Sequence, residues 1–363
     1  MDYTKQYINN SVIIEDKKKE VCVVSEQTFS SSSSLTTYKK VVDISKHHKI
    51  YGLTQNDYNE VLEKIKKQNC FLEYNYIYDK ISGTQIPLKD LVISANHNPN
   101  RYHALIQNRI NTLSNEAKEK NLFPIFMTLT LPSEFHKMKI DKKTKALIEN
   151  PKYNQVPPKD AVKHLTKMYS RLRHDRSLKE LSKDERIYFR VNEPHKDGTP
   201  HTHILLFVPK ESVNRIVTAF KRLYDNKAND IQIDIKNATS YIMKYINKTL
   251  PLSKQENLSK KDKYLNTWYC KHRIIRFNCS RTLAPLKLYK LLHEKFNLKE
   301  LTSLVKNKSL SIFVLQTNTD KIMEIFFGDE LIYQRSENYT MKNGLLDFWY
   351  FFEKYKQIKR GTI

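Results

Sequence analysis

Residues 187–208 read IYFRVNEPHKDGTPHTHILLFV: two apolar runs separated by a short polar stretch rich in turn residues. Asp197-Gly198 between such runs is a hairpin signal. Side chains alternate faces along a strand, so His201 and His203 point the same way. A hairpin brings Glu193, near the end of the first run, beside them. Residues directly opposite in an antiparallel pair share a face. Glu193 therefore joins the two histidines only if the loop holds an odd number of residues, or a strand carries a bulge. A regular two-residue turn would put Glu193 on the wrong face, so the expectation is a three- or five-residue loop. Two imidazoles and a carboxylate on one face make a three-ligand set for a divalent metal, with positions open for substrate. The plain alternative is a pair of hydrogen-bonded core or edge histidines. With 12 His in the chain, a His-x-His pair says little by itself.

The patterning extends outward from this hairpin. Residues 101–121 have helical periodicity, with Leu105, Ile106, Ile110, Leu113 and Ala117 on one side. PIFMTLTLP (124–132) reads as a strand. Residues 158–174 form an amphipathic helix with Val162, Leu165, Met168, Tyr169 and Leu172 inward and Lys159, Lys163, Lys167, Arg171 and Arg173 available to phosphates or solvent. Strands at 187–194 and 201–208, a helix at 211–225, a strand at 231–236 and a helix at 238–248 follow. This β-α-β-β-α-β-α order predicts an α+β fold: an antiparallel sheet with a central hairpin and packed helices.

The flanks are expected to be simpler. Residues 1–45, polar and basic with a serine run at 30–34, read as a flexible arm with one short strand at EVCVVSE. Residues 46–98 read as a small N-terminal module in which FLEYNYIYDK alternates like a strand. Residues 99–295 form the core. Residues 264–300 carry a strand-like RIIRFN and a basic helix, PLKLYKLLHEKFN. Residues 296–363 read as a small α+β extension with two strands, SIFVLQ and KIMEIFFGDELIYQ, and an aromatic helix, LLDFWYFFEKYKQ, whose stripe is a packed core.

Composition narrows the function. Lys+Arg number 63 against 39 Asp+Glu, a formal charge of +24, which favours a polyanionic partner, nucleic acid before an anionic membrane. High Lys, Asn and Tyr content also fits an AT-rich genome. No apolar run approaches the ~18 residues of a membrane span, and the N-terminus lacks a signal-peptide core, so the expected location is the cytoplasm. Cys22, Cys70, Cys270 and Cys279 show neither zinc nor redox spacing. None of the six glycines builds a Walker A loop, which argues against a P-loop ATPase.

A second group of residues sits in NATSYIMKYINKT (237–249). Tyr241 and Tyr245, four apart, share a helix face at about 6 Å spacing, with Lys244 and Lys248 alongside. A tyrosine hydroxyl is a poor nucleophile at its ordinary pKa. Nearby cations, or a metal acting on a scissile phosphate, would remedy that. A tyrosine pair on a helix is otherwise most often core packing.

Three blocks together resemble the HUH endonucleases, and among them the bacteriophage replication gene A protein family of rolling-circle initiators. They are FMTLTLPSEFH (126–136), RVNEPHKDGTPHTHILLF (190–207) and ATSYIMKYINK (238–248), in that order, and the resemblance covers about residues 100–295. It implies an enzyme that nicks and rejoins DNA through a 5′-phosphotyrosine and frees a 3′-OH for polymerase. Glu193, His201 and His203 would hold magnesium or manganese. Tyr241 and Tyr245 would be alternating nucleophiles, and Lys244 would orient substrate or metal. Thr128, Thr130 and Lys248 would face the metal hairpin or DNA, although ordinary β-propensity accounts equally for the two threonines. His136 matches by position only, and His195 is expected to be exposed in the turn. Thr202 stands where the family carries a large apolar or aromatic residue. The implied partners are single-stranded or supercoiled origin DNA and a host helicase and polymerase in the bacterial cytoplasm. Rival readings are a transposase or mobilisation relaxase of the same chemistry, and a nuclease-inactive DNA-binding replication protein. A zinc hydrolase lacks any H-E-x-x-H.

Overall fold

The structure, a computed structural model, describes residues 50–78, 85–141, 143–144, 147–233, 235–253, 258–316, 321–336 and 340–342. The arm at 1–45, its EVCVVSE strand and the aromatic helix LLDFWYFFEKYKQ lie outside them. Helix α1 (Gln55–Tyr74), strands β1 (Tyr76–Tyr78) and β2 (Gln85–Pro87) and the short α2 (Leu88–Leu91) come first. The main body follows with α3 (Pro99–Glu119), β3 (Phe123–Thr130), β4 (Met138–Ile140), β5 (Leu147–Glu149), α4 (Pro158–His174) and α5 (Arg176–Lys179). Next come β6 (Ile187–Pro194), β7 (Pro200–Val208), α6 (Val213–Leu223), β8 (Asp230–Gln232) and α7 (Ala238–Thr249). After these run α8 (Lys260–His272), β9 (Phe277–Cys279), α9 (Leu286–Leu292), α10 (Leu298–Lys306), β10 (Leu310–Gln316), β11 (Lys321–Phe327), β12 (Glu330–Ser336) and β13 (Thr340–Lys342).

The organising element is a five-stranded antiparallel sheet in the order β8-β3-β7-β6-β9. Alternation along its strands separates two cores. Ile125, Met127 and Leu129 of β3 and Ile204, Leu206 and Val208 of β7 face α4 and α6. Phe126, Phe189, Val191, Leu205 and Phe207 face α3 and α7. Each fully buried Ile, Leu or Phe stabilises by about 1.5–3 kcal/mol relative to exposure. Strand β7 is buried at every position because helices cover both of its faces. Helices start where the sequence supplies caps: Pro158 begins α4, and Asn237 accepts from Ser240 N at the start of α7.

Several expectations are corrected. FLEYNYIYDK is helical through Tyr74, the end of α1, and only Tyr76–Tyr78 is a strand. The 231–236 strand is short, Asp230–Gln232. KIMEIFFGDELIYQ is two strands, because Gly328, at φ +58, turns the chain between β11 and β12. Helix α8 was not anticipated: its buried residues (Tyr264, Leu265, Asn266, Thr267, Trp268, Tyr269) run consecutively rather than at helical spacing.

Helix α8 anchors the central hairpin. Trp268 Nε1 donates to the Gly198 carbonyl (3.0 Å), and Tyr269 Oη donates to the Asn192 carbonyl (2.5 Å). Gly198 has φ +91, and a Cβ there would collide with the Tyr51 carbonyl oxygen. Gly198→Ala is therefore expected to destabilise by roughly 2 kcal/mol or more, read by denaturant unfolding; an unchanged midpoint would rule out this close packing. His272, at the end of α8, is held at about 4 by burial. The unfolded chain takes that proton near 6.5, so the stability this residue contributes above pH 6.5 is lost as pH falls toward 4. His272→Gln is expected to melt with a flatter pH dependence in that window.

Candidate metal centre and tyrosine helix

Strands β6 and β7 pair from Ile187↔Phe207 to Pro194↔Pro200, which leaves five residues, 195–199, in the loop. This is one of the two expected loop lengths. Glu193 lies directly opposite His201, and Val191 opposite His203. On the other side of β7, Thr128 pairs with His203 and Thr130 with His201. One sheet face thus gathers Glu193, His201, His203, Thr128 and Thr130. The loop is fixed from within: Asp197 accepts from Thr199 N and Oγ1 (both 3.0 Å), and His195 N donates to Thr199 O at 2.8 Å.

The three potential ligands converge. His201 Nε2 and His203 Nε2 lie 3.0 Å apart, and Glu193 Oε2 is 3.8 Å from the first and 3.9 Å from the second. Two imidazole nitrogens that close repel unless a proton or cation stands between them. Thr128 Oγ1 lies 3.1 Å from His203 Nδ1; in the tautomer with the proton on Nδ1 it accepts that proton, and the Nε2 lone pair is left toward the cluster. Glu193 Oε1 and His201 Nδ1 are buried without hydrogen-bond partners. Two imidazoles, one carboxylate and an unsatisfied carboxylate oxygen are a donor set suited to a divalent cation, and this group could hold one.

Electrostatics agree with that chemistry. Burial holds His203 at about 3 and His201 well below its ordinary value, with repulsion from neighbouring imidazoles and Lys248 adding to both. Both are neutral at physiological pH, as ligation requires. Burial pushes the Glu193 carboxyl up, even though Lys248 Nζ donates to Glu193 Oε2 at 2.6 Å. The Lys248 side chain is 54% exposed, so water screens its charge and the offset is incomplete.

Helix α7 lies over this face through Phe126. The ring of Tyr241 meets Phe126 edge-on at 4.5 Å, and Tyr245 stacks on it at 5.4 Å. Tyr245 also lies over His203, ring centroids 3.9 Å apart. Tyr241 Oη donates to Gln232 Oε1 at 3.3 Å. Burial, with Tyr241 next, raises the Tyr245 pKa. Lys244 is exposed and, among the described residues, makes no contact with the cluster, whereas Lys248 does. Thr130 N donates to Asn229 Oδ1 at 2.8 Å.

Some contributors escaped the sequence reading. His195, expected to be exposed, is half-buried, its ring tilted against that of His201 with centroids 4.1 Å apart, and its Nε2 is buried and unpartnered. His136 is tied to Asp197 Oδ2 in the hairpin loop at 2.9 Å. Thr202 is buried and donates to Asn192 Oδ1 at 2.7 Å, so a hydrogen bond replaces apolar packing between the histidines.

Residues 35–252, well over half the chain, match the bacteriophage replication gene A protein (GPA) family. The chain is 29% identical over 227 residues to a replication gene A protein of Escherichia phage 186, covering 58% of this chain and 31% of that protein. It is 32% identical over 180 residues to a replication protein of Haemophilus phage HP1, covering 46% and 22%. It is 25% identical over 248 residues to a probable replication endonuclease from a prophage-like region of Shigella boydii serotype 4, covering 61% and 30%. The matched region spans less than a third of each of these relatives. No solved structure gives a match. Among the described residues, no helix is long and apolar enough to cross a membrane.

Manganese titrated by calorimetry is expected to bind the chain, and Thr128→Val to bind it about 10- to 100-fold more weakly, because His203 loses its orienting partner. Wild-type affinity in a His201→Gln/His203→Gln variant would show that the cation binds elsewhere.

Proposed function

The chain belongs to the bacteriophage replication gene A protein family, and we propose that it is a phage replication initiator whose HUH-type core nicks and rejoins one DNA strand to start rolling-circle replication. The observation that carries this reading is the tilted contact of the Tyr245 ring with His203, centroids 3.9 Å apart, which puts a candidate nucleophile against a candidate ligand group. The names of the relatives, replication gene A protein and probable replication endonuclease, support the same reading.

In this proposal residues 99–295 are the catalytic core, 1–45 an arm, 46–98 a small module and 296–363 an extension. Glu193, His201 and His203 hold magnesium or manganese. The bound cation would supply charge stabilisation at the scissile phosphate. Tyr245 or Tyr241 Oη bonds to phosphorus and the bond to the 3′-oxygen breaks, giving a 5′-phosphotyrosine and a 3′-OH. The phenolic proton goes to solvent or to the departing oxygen. Lys248 offsets negative charge at Glu193, and exposed Lys244 meets the DNA backbone. Thr128 orients His203, and Thr130 borders the DNA path. Two tyrosines on one helix face allow alternating attack at one phosphate position. Origin DNA, a host helicase and a polymerase are the partners, in the bacterial cytoplasm.

The test is a covalent adduct. Purified chain, DNA from its own replicon and manganese are expected to give a protein–DNA linkage that chelator abolishes and that maps to Tyr241 or Tyr245 by mass spectrometry. Cleavage without an adduct would sink the tyrosine mechanism; binding with neither product would favour an inactive DNA-binding relative. Tyr241→Phe and Tyr245→Phe are each expected to retain some nicking, and the double variant less than about one part in a thousand of wild type, a loss of roughly 4 kcal/mol in barrier terms.

A further inference from the structure

Helix α4 carries Lys159, Lys163, Lys167 and Arg171 on its outer side, each four residues from the next and all exposed. Its inner side, Ala161, Leu165, Tyr169 and Leu172, is buried on the sheet face away from the tyrosine helix. At about 1.5 Å rise and 100° per residue, the four cations form a ridge roughly 18 Å long, with steps of about 6 Å, that winds by about 120° around the helix. Like charges at i,i+4 disfavour a helix. Among the described residues the ridge has one ion pair, Lys163 Nζ to Asp160 Oδ1 at 2.7 Å, and Lys159, Lys167 and Arg171 have no carboxylate within ion-pair distance.

The cationic surface continues past the end of the ridge. Arg173 and Arg190 both lie over the Tyr169 ring, their guanidinium carbons 5.8 and 5.4 Å from its centroid. Neither has a carboxylate partner among the described residues, and Arg190 Nε is buried without a hydrogen-bond partner. The Arg190 guanidinium, partly withdrawn from water and left without a counter-charge, is unfavourable there, and with exposed Arg173 at the same ring it marks a place for an anion.

We propose that the α4 ridge and the Arg173–Arg190 pair form a phosphate track for double-stranded DNA, separate from the catalytic face and indifferent to sequence. The inference rests on DNA being the substrate of this chain. Duplex fits better than single strand because a stiff rod already presents its phosphates in fixed order to the long Lys and Arg side chains of a rigid helix, whereas a single strand must first be ordered. Among the described residues, α4 exposes no Phe, Tyr or Trp ring to stack an unpaired base; its one such residue, Tyr169, is buried. The track holds the duplex flanking the nick while the strand being cut occupies the other face.

The test compares wild type with a quadruple variant, Lys159→Gln, Lys163→Gln, Lys167→Gln and Arg171→Gln. Equilibrium binding of a random-sequence duplex several helical turns long is measured against salt. The variant's log–log salt slope is expected to be shallower by about 2 to 4, and its affinity at least about tenfold weaker near 0.1 M salt. It is expected to melt no lower than wild type, since repulsion along the helix is relieved. Arg190→Lys, which keeps the charge but loses the planar fork, is expected to weaken duplex binding less than Arg190→Leu. A wild-type salt slope in the quadruple variant overturns the track, as does an equal loss of affinity for a short single strand. Failure of the nicking reading appears separately, as wild-type protein that binds duplex but gives no metal-dependent adduct.

Discussion

The polar cluster follows from the register of one antiparallel pair. Glu193 and His201 face each other across β6 and β7 because five residues, neither four nor six, separate Pro194 from Pro200. A slip of one residue would turn the carboxylate into the opposite core, among Ile204 and Leu206. The loop is accordingly held from several directions. Asp197 closes it through Thr199, Tyr51 presses on Gly198, and Trp268 and Tyr269 bond backbone carbonyls at 198 and 192. Those last two side chains belong to α8, beyond the region matched to the family, yet they tie down the loop and β6 of the hairpin.

A fully covered strand would ordinarily be apolar, and the far half of β7, ILLFV, is. Its near half carries His-Thr-His instead, and each polar side chain there meets a partner or a convergent group. Thr202 turns to Asn192 on one face, and His203 meets Thr128 on the other. Burial does two things to the cluster at once. It keeps the imidazoles unprotonated, and it penalises an isolated Glu193 carboxylate, which Lys248 only partly relieves. Both effects favour a positive ion among these groups.

The sheet also divides the molecule's surfaces. One face carries the imidazoles, the carboxylate and the tyrosines, with Phe126 as the shared ring beneath His203, Tyr241 and Tyr245. The other is covered by α4 and α6, and the outward side of α4 is a row of cations. The same two-residue alternation that sorts Ile125 from Phe126 therefore separates the candidate chemistry from the basic ridge.

Much was legible in the chain itself. Strong periodicity located α4 at 158–174 and α7 within a residue of its observed end, and the parity of the loop was deducible from the requirement that Glu193 join the histidines. Helix α8 was not legible, because residues buried on all sides leave no periodic pattern. The turn at Gly328 was missed even though Gly328-Asp329-Glu330 interrupts the apolar pattern there. Local sequence determined which residues are candidate ligands and nucleophiles and which strand faces they share, since alternation and helical spacing are properties of neighbours along the chain. Only the tertiary structure decided that Lys248 rather than Lys244 reaches Glu193, that Tyr245 rather than Tyr241 lies on His203, and that His195 packs against His201. The first two contacts join elements far apart in sequence, with geometry set by how α7 packs on the sheet, and the third depends on the path of the hairpin loop.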